Sequence, residues 1–172
     1  MENMEKRVDG YRFLPPSLAA WVRTFIPEDD FSGSIPWSPL AKPLSSATVA
    51  LVTSAGINLK SDPPFDTERE KREPLWGDRS FREIPRKTGE KEIDVNHLHI
   101  NTDYIKQDIN VILPLRRMEE LEEEKVIGRL ADTAYSYYGF QWECTDFLTE
   151  AIEPMSKKMK DEMVEAVLLT PA

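Results

Sequence analysis

Two runs of β-branched and apolar residues constrain the fold more than any other feature of the chain. TVALVT at Thr48–Thr53 ends in a Ser-Ala-Gly turn, and EAVLLT occupies residues 165–170. Continuous apolar runs of this length are typical of strands buried on both faces, as in parallel sheets. Because helical patterns separate the two runs, the sequence predicts an α/β fold, a single three-layer sandwich domain with a mainly parallel sheet.

The rest of the chain predicts a short list of further elements. Residues 1–46 are predicted to form an N-terminal helix followed by an extended Pro-rich arm, and residues 47–172 the α/β domain. The stretch 60–79 is polar and predicts a long loop, and residues 131–138 form a short aromatic-rich segment. Helices are predicted at 16–26, 103–109, 114–125 and 144–162, the last with a kink near Pro154, and short strands at 81–84, 93–95 and 98–100.

Charge and composition exclude several classes of protein. The 172 residues include 31 Asp and Glu against 22 Lys and Arg, a net charge of −9, which is the wrong sign for binding nucleic acid or an anionic membrane. The sequence contains no apolar run of about 18 residues and no apolar core of a signal peptide near its start. We expect a cytoplasmic protein with small-molecule or protein partners.

The densest group of chemically active residues is NHLHINTDYIKQDIN, which holds both histidines of the chain. If residues 98–100 form a strand, His97 and His99 project from the same side of it, where they can move protons near neutral pH. We therefore predict His97, His99 and Asp103 as catalytic residues, with Asp103 orienting an imidazole. In one alternative, the two histidines and the nearby carboxylate bind a metal; in another, a histidine only packs at the end of a strand.

Ligands of open α/β sheets bind beyond the carboxyl ends of the strands. This rule predicts one crevice formed by residues 54–56, 97–103 and 170–172. Backbone amides of a Ser/Gly turn can bind a carboxylate or phosphate. An ordinary turn at the end of a strand has the same sequence pattern, so both interpretations are open. The predicted substrate-binding residues are Ser54, Gly56, Asp62, Asp108 and Asn110.

The remaining candidates carry weaker predictions. Cys144 lies beside Glu143 and Asp146, whose negative charges disfavour a thiolate, so it is not predicted to be a nucleophile. Aromatic side chains at 135–140 either form the floor of a site or pack in the core.

Four blocks of sequence resemble the selenoprotein B family of glycine, sarcosine, betaine and D-proline reductases. They are VALVTSAGINLKSDPPFD, GDRSFREIP, HLHINTDYIKQDINVILPLRRMEEL with EEKVIGRLADTAYSYYGF, and VEAVLLTPA. Together they span residues 48–172, whereas residues 1–46 carry little of the resemblance.

The resemblance implies a reductase subunit that cleaves a small amino acid or N-methylated amine. It also implies a selenocysteine nucleophile just beyond the last strand, a pyruvoyl group on a partner subunit, a thiol reductant, and a homo- or hetero-oligomer. No cofactor is evident in this chain itself. In such an enzyme His97 and His99 would act as proton donors or substrate ligands.

The sequence ends at LLTPA, where the family's selenocysteine or cysteine region would begin. Two hypotheses are open: a UGA selenocysteine codon read as a stop, or a natural variant without the redox tail. In the first case the edge of the sheet is expected to be exposed. The alternative functions are a non-catalytic interaction or scaffold subunit with the same fold, and a metal-dependent enzyme that uses the histidines and a carboxylate.

Overall fold

The apolar run Thr48–Thr53 forms a strand, β1, as predicted. The structure is a computed structural model of the chain, and it describes residues 10–24, 37–73, 75–98, 100–142 and 144–172. Every residue of β1 after Thr48 is buried, so the strand is covered on both faces. β1 is the centre of the main sheet.

The bounds of the other elements are as follows. The strands are β2 (Ile57–Leu59), β3 (Phe81–Pro85), β4 (Ile93–Val95), β5 (Arg129–Leu130), β6 (Thr133–Tyr137) and β7 (Ala166–Thr170). The α-helices are α1 (Pro16–Arg23), α2 (Thr67–Arg72), α3 (Asp103–Gln107), α4 (Leu115–Glu123), α5 (Cys144–Phe147) and α6 (Glu153–Asp161). Short 3-10 turns lie at Gly10–Phe13, Leu44–Ser46, Glu90–Glu92 and Ile109–Val111. A π-helical turn, Leu148–Ile152, joins α5 to α6 just before Pro154, where a kink was predicted.

The main sheet is five-stranded and mainly parallel. On one side β1 pairs in parallel with β5 at its start and with β6 at its end, and on the other side it pairs in parallel with β7. β3 runs antiparallel to β6 and forms the opposite edge from β7. This arrangement confirms the predicted α/β fold class.

Helices cover both faces of the sheet. Alternate residues of β1 point to opposite faces, where they pack in two different apolar clusters. Leu51 packs in a cluster with Leu115 and Met118 of α4. Val52 packs in a second cluster with Met155 and other apolar side chains from α6 and β6. The sheet therefore lies between two helical layers, which is the three-layer arrangement expected from the sequence.

A two-stranded sheet forms directly beyond the end of β1. β2 pairs antiparallel with β4, with Ile57 opposite Val95. Ile57 and Ile93 are buried and anchor this ribbon to the larger apolar cluster. The ribbon brings the residues that follow β4 back to the carboxyl end of β1.

The described residues belong to two compact units, Met1–Ser38 and Pro39–Ala172. In the first unit, α1 begins at Pro16, as predicted, since proline is well suited to the first turn of a helix. The remainder of the predicted helix and most of the predicted arm, residues 25–36, lie outside the described residues. The boundary predicted at residues 46 and 47 stays a prediction.

Three local predictions were wrong. The polar stretch 60–79 contains a helix, α2, since Asp66 caps it by accepting a hydrogen bond from the Arg69 amide at 2.9 Å. Leu98 and Ile100 lie in bends rather than in a strand. The second apolar run forms β7, but β7 is an exposed edge strand instead of a buried one.

Among the described helices, none has the length and apolar character needed to cross a bilayer.

Candidate functional site

The carboxyl ends of β1, β6 and β7 meet at one end of the main sheet, and we refer to this region as the crevice that the sequence predicted. The hydroxyl of Ser54 accepts a hydrogen bond from the Ala172 amide at 3.0 Å. The Ser54 amide in turn donates to the Thr170 carbonyl at 3.4 Å. The turn after β1 and the segment after β7 therefore lie side by side, as the rule for parallel sheets predicts.

Most hydroxyl groups in this crevice bind the protein's own backbone. Thr170 donates to the Ile112 carbonyl at 2.7 Å, and Thr53 donates to the Thr170 carbonyl at 3.1 Å. The Ser136 hydroxyl accepts from the Ile57 amide at 2.8 Å. These contacts hold the strand ends together, so they shape the floor of the crevice rather than reach out of it.

Gly56 fixes the segment before His97 against the crevice. Its φ of +63° is a left-handed conformation that favours glycine, and a Cβ at this position would lie 2.8 Å from the Asn96 carbonyl oxygen. The Gly56 carbonyl accepts from the Asn96 amide at 2.9 Å, while its own amide donates to Tyr137 at 3.0 Å. Gly56 thus serves close backbone packing, and its predicted contact with substrate stays a prediction.

His97 packs against a buried tyrosine. Its ring centroid lies 5.5 Å from that of Tyr138, which is 1% exposed. The Tyr138 hydroxyl donates a hydrogen bond to the Glu70 carboxylate and accepts one from the Leu98 amide. Burial raises the pKa of Tyr138, and the hydrogen bond to Glu70 and the charge of Glu70 raise it further, so the phenol stays protonated and remains the donor. We call Glu70, Tyr138 and His97 the buried triad, after its two buried members Glu70 and Tyr138.

Glu70 is the functional candidate that the sequence analysis missed. It is only 5% exposed, whereas its neighbours Arg69 and Lys71 on α2 are exposed to solvent. Glu70 and Tyr138 are 68 residues apart in the chain, so no local spacing relates them. The charge pattern could have predicted the helix α2 but not the burial of Glu70: the first turn holds Glu68 and Glu70 and the last turn is basic, which suits the helix dipole.

An open cavity of about 380 Å³ is lined by residues close in sequence to the buried triad, including Asn96, which precedes His97. Phe65 and Asn96 are among the residues that line it. Phe65 is buried and tilted against Tyr138, with ring centroids 6.2 Å apart, and the guanidinium of Arg82 lies 4.3 Å from the centre of the Phe65 ring. An arginine at this position provides a fixed positive charge next to the cavity.

The structure brings only part of the predicted site together. Ser54 contacts Ala172 in the segment 170–172, and Gly56 contacts Asn96, the residue before His97. Asp108 instead accepts hydrogen bonds from the Asn110 amide at 2.9 Å and from its side chain at 2.7 Å, and these bonds hold the pKa of Asp108 below its usual value. Asn110 also accepts from the Arg116 amide at 3.0 Å in the first turn of α4, whereas Asp108 caps the 3-10 turn Ile109–Val111.

The other predicted residues have less defined roles. Asp62 follows a turn after β2 in which its amide donates to the Leu59 carbonyl at 2.9 Å. Asp103 is exposed at the start of α3. His99 lies outside the described residues, so the pairing of the two imidazoles stays a prediction. Within the part of the chain that the structure covers, no group of three or more His, Cys, Asp or Glu side chains is arranged to hold a metal ion.

Cys144 begins α5, and its side chain is exposed. Its thiol contacts the Gln141 carbonyl at 3.7 Å. Of the four aromatic residues considered as a floor, Tyr138 packs beneath His97, while Tyr135 is buried in the cluster on the α6 face.

Comparison with known proteins gives the family of the chain. Residues 25–172 match the family described as glycine/sarcosine/betaine reductase selenoprotein B. The D-proline reductase subunit gamma of Acetoanaerobium sticklandii is 35% identical over 134 residues, which make up 78% of this chain and 52% of that protein. No solved structure matches.

Two further relatives are components of other reductases. The glycine reductase complex component B subunit gamma of Symbiobacterium thermophilum is 32% identical over 79% of this chain and 31% of its own length. The sarcosine reductase complex component B subunit beta of Peptoclostridium acidaminophilum is 30% identical over 79% of this chain and 30% of its own length. The chain thus spans about half or less of the length of these relatives. With the family match covering residues 25–172, the predicted resemblance is confirmed: the chain belongs to the glycine/sarcosine/betaine reductase selenoprotein B family.

Proposed function

We propose that this chain is a subunit of a reductase complex that cleaves a small amino acid or an N-methylated amine, and that it provides the scaffold and a proton-handling group of the site. Its family membership and the names of its relatives support the reaction class. The observation that carries the proposal is the position of His97, which packs on the buried Tyr138 beside the shared crevice.

The buried triad suits His97 to proton transfer. Tyr138 is held by hydrogen bonds on two sides, so the surface on which the imidazole rests is rigid. His97 itself is partly exposed to solvent. An imidazole exchanges protons near neutral pH, and a positioned general acid contributes about 10²–10⁴-fold to rate. In the proposed reaction His97 protonates the amine that leaves as the bond to carbon is cleaved.

The position of Ala172 supports a role for the family's redox group at this end of the sheet. By resemblance, a selenocysteine after the last strand supplies the nucleophile when present, and a pyruvoyl group on a partner subunit captures the substrate amine. Ala172 lies in the crevice, with its amide bound to Ser54. A residue that followed Ala172 would therefore begin beside Ser54, at the carboxyl end of β1. Partner subunits and a thiol reductant are part of this proposal.

Substitution of His97 in the assembled complex tests the proposal. The full chain would be purified with its partner subunits from the host cell, and the release of product from glycine, sarcosine, betaine and D-proline would be measured. We expect His97→Gln to lower kcat at least about 10²-fold on whichever of glycine, sarcosine and D-proline is cleaved, without loss of complex assembly, whereas betaine would release neutral trimethylamine and need no proton from His97. Tyr104→Phe is the matched control, because Tyr104 is 64% exposed.

A second candidate function is a scaffold subunit without catalytic residues. It is favoured by the hydroxyls of Thr53, Ser136 and Thr170, which are all engaged with the backbone. Unchanged turnover in His97→Gln, in a complex that assembles normally, would refute the proton-handling role and support this alternative.

A further inference from the structure

The outer edge of β7 is the least protected edge of the main sheet. β7 pairs with β1 along its inner edge, and no other strand pairs with it among the residues that the structure describes. Val167, Leu168 and Leu169 are 43%, 42% and 68% exposed. Outward-facing amides and carbonyls of such an edge are free to bind another strand.

Apolar surface extends from this edge onto both faces of the sheet. On the α4 face, Leu168 borders an apolar cavity of about 290 Å³ that Val126 also lines. On the α6 face, Leu169 borders a second cavity of about 290 Å³ beside Ile152 and Met155. A strand with apolar surface on both faces is normally an interior strand of a sheet. The surroundings of β7 therefore resemble those of an interior strand with one neighbour missing.

The opposite edge of the same sheet shows how an edge strand is usually protected. β3 carries Arg82 and Glu83 and ends at Pro85, and Glu83 forms an ion pair with Lys158 at 3.0 Å. Charged side chains and proline discourage pairing with another strand. Between Ala166 and Thr170, β7 contains neither.

We propose that β7 pairs with β7 of a second copy of this chain, antiparallel and about a two-fold axis at Leu168. This inference is independent of the proposed reductase function. A two-fold interface requires a surface that is complementary to itself. β7 meets this requirement because its central residues are all apolar and no charge within the strand would face its own symmetry mate.

The register follows from the residues that flank the strand. With Leu168 on the axis, Val167 of one copy lies opposite Leu169 of the other, so apolar side chains meet on both faces. Moving the axis to Val167 would place Glu165 opposite Leu169. Moving it to Leu169 would place Pro171, which has no amide hydrogen, opposite Val167. The axis at Leu168 is the arrangement that keeps apolar residues together.

The dimer also covers the two apolar cavities. A two-fold axis perpendicular to the sheet brings the α4 faces of both copies to one side and the α6 faces to the other. Each cavity then faces the equivalent cavity of the second copy across the joined strands. Apolar surface on both sides of β7 leaves water, which provides the driving force for association.

Sedimentation of the full chain tests the proposal. The wild-type protein is expected to sediment at twice its monomer mass of 19.8 kDa. Leu169→Lys is expected to weaken the dimer at least about 10-fold, since a charge is placed against apolar Val167 of the second copy. The side chain is 68% exposed in the monomer, so folding is preserved, and circular dichroism would verify this. Leu148→Lys is the matched control, at a 52% exposed leucine on the π-helical turn, and should remain dimeric.

A cross-linking experiment tests the register separately. In a Cys144→Ser background, Leu168→Cys should form a covalent dimer with a short bis-maleimide, and Leu148→Cys should not. A wild-type chain that is monomeric at every loading concentration would overturn the proposal. That result would favour a different strand at this edge, such as one from the additional polypeptide that the longer relatives contain. Equal dimerisation of Leu169→Lys and Leu148→Lys would also overturn it, and a dimer without the Leu168→Cys cross-link would overturn the register.

Discussion

Replacing Tyr138 with Phe removes one oxygen atom from the buried triad and leaves the ring in place. The ring contacts with Phe65 and His97 are kept, since they involve carbon atoms. Two hydrogen bonds are lost, one donated to the Glu70 carboxylate and one accepted from the Leu98 amide. The substitution therefore measures the polar part of the triad by itself.

The expected loss of stability follows from these two bonds. A hydrogen bond to a charged group contributes about 1.5–3 kcal/mol to folding, and one between neutral groups about 0.5–1.5 kcal/mol. We expect Tyr138→Phe to lower the free energy of unfolding by about 2–4.5 kcal/mol, which corresponds to roughly 4–18 °C in Tm for a chain of this size. Glu70 is 5% exposed, so water replaces the lost donor poorly.

Urea unfolding of the full chain, followed by circular dichroism, would measure this change. Tyr104→Phe is the control, because it removes the same atom at a 64% exposed position and should leave the midpoint unchanged. A double-mutant cycle with Glu70→Gln should give a coupling energy of at least about 1 kcal/mol. Equal midpoints for the two Tyr→Phe variants, or a coupling energy near zero, would refute the role of the triad as a rigid support for His97.

Two further variants test other parts of the packing. The Tyr135 hydroxyl is buried with no hydrogen-bond partner among the described residues, so Tyr135→Phe should raise the free energy of unfolding, by about 1 kcal/mol. Burial and the charge of Glu162 raise the pKa of Tyr135 from 10.0 to about 12. The part of the stability that depends on protonated Tyr135 should therefore be complete below pH 10 and be lost as the pH rises to 12. A Tyr135→Phe variant that loses the same stability at alkaline pH would contradict this assignment. A Cβ at Gly77 would lie 1.8 Å from a backbone carbonyl oxygen, whereas one at Gly89 would meet nothing closer than 3.7 Å. Gly77→Ala should therefore lower the free energy of unfolding by about 3 kcal/mol or more, and Gly89→Ala should change it far less. Similar Tm values for the two variants in thermal unfolding would count against the close approach at Gly77.

The sequence predicted the fold where the pattern of one segment was sufficient. The run Thr48–Thr53 is apolar throughout because both faces of β1 are covered, and this pattern is visible without knowing its neighbours. The same pattern in Ala166–Thr170 predicted a strand correctly but not its exposure, since whether a further strand pairs with β7 depends on polypeptide outside the segment. Leu98 and Ile100 resemble a strand by alternation alone, yet they lie in bends.

The candidate site was predicted in part for a similar reason. Ser54 follows β1, and the rule that ligands bind at the carboxyl ends of parallel strands was enough to place it beside the segment after β7. His97 follows β4 of the antiparallel two-stranded sheet, to which this rule does not apply. Glu70 was missed because its neighbours on α2 are charged and exposed, and its partner lies 68 residues away. A buried carboxylate within a polar stretch has no local pattern that distinguishes it from a solvated one.

The connectivity of the central strand has a consequence for synthesis on the ribosome. β1 is made early, but its partners β6 and β7 are made late, and the side-chain hydrogen bond between Thr53 and Thr170 joins residues 117 positions apart. Contacts of such long range form slowly and only after most of the chain has emerged. During translation, both hydrogen-bonding edges of β1 therefore stay unpaired until these later strands have been made. Nascent chains of this protein are thus expected to need protection by chaperones until β7 has left the exit tunnel.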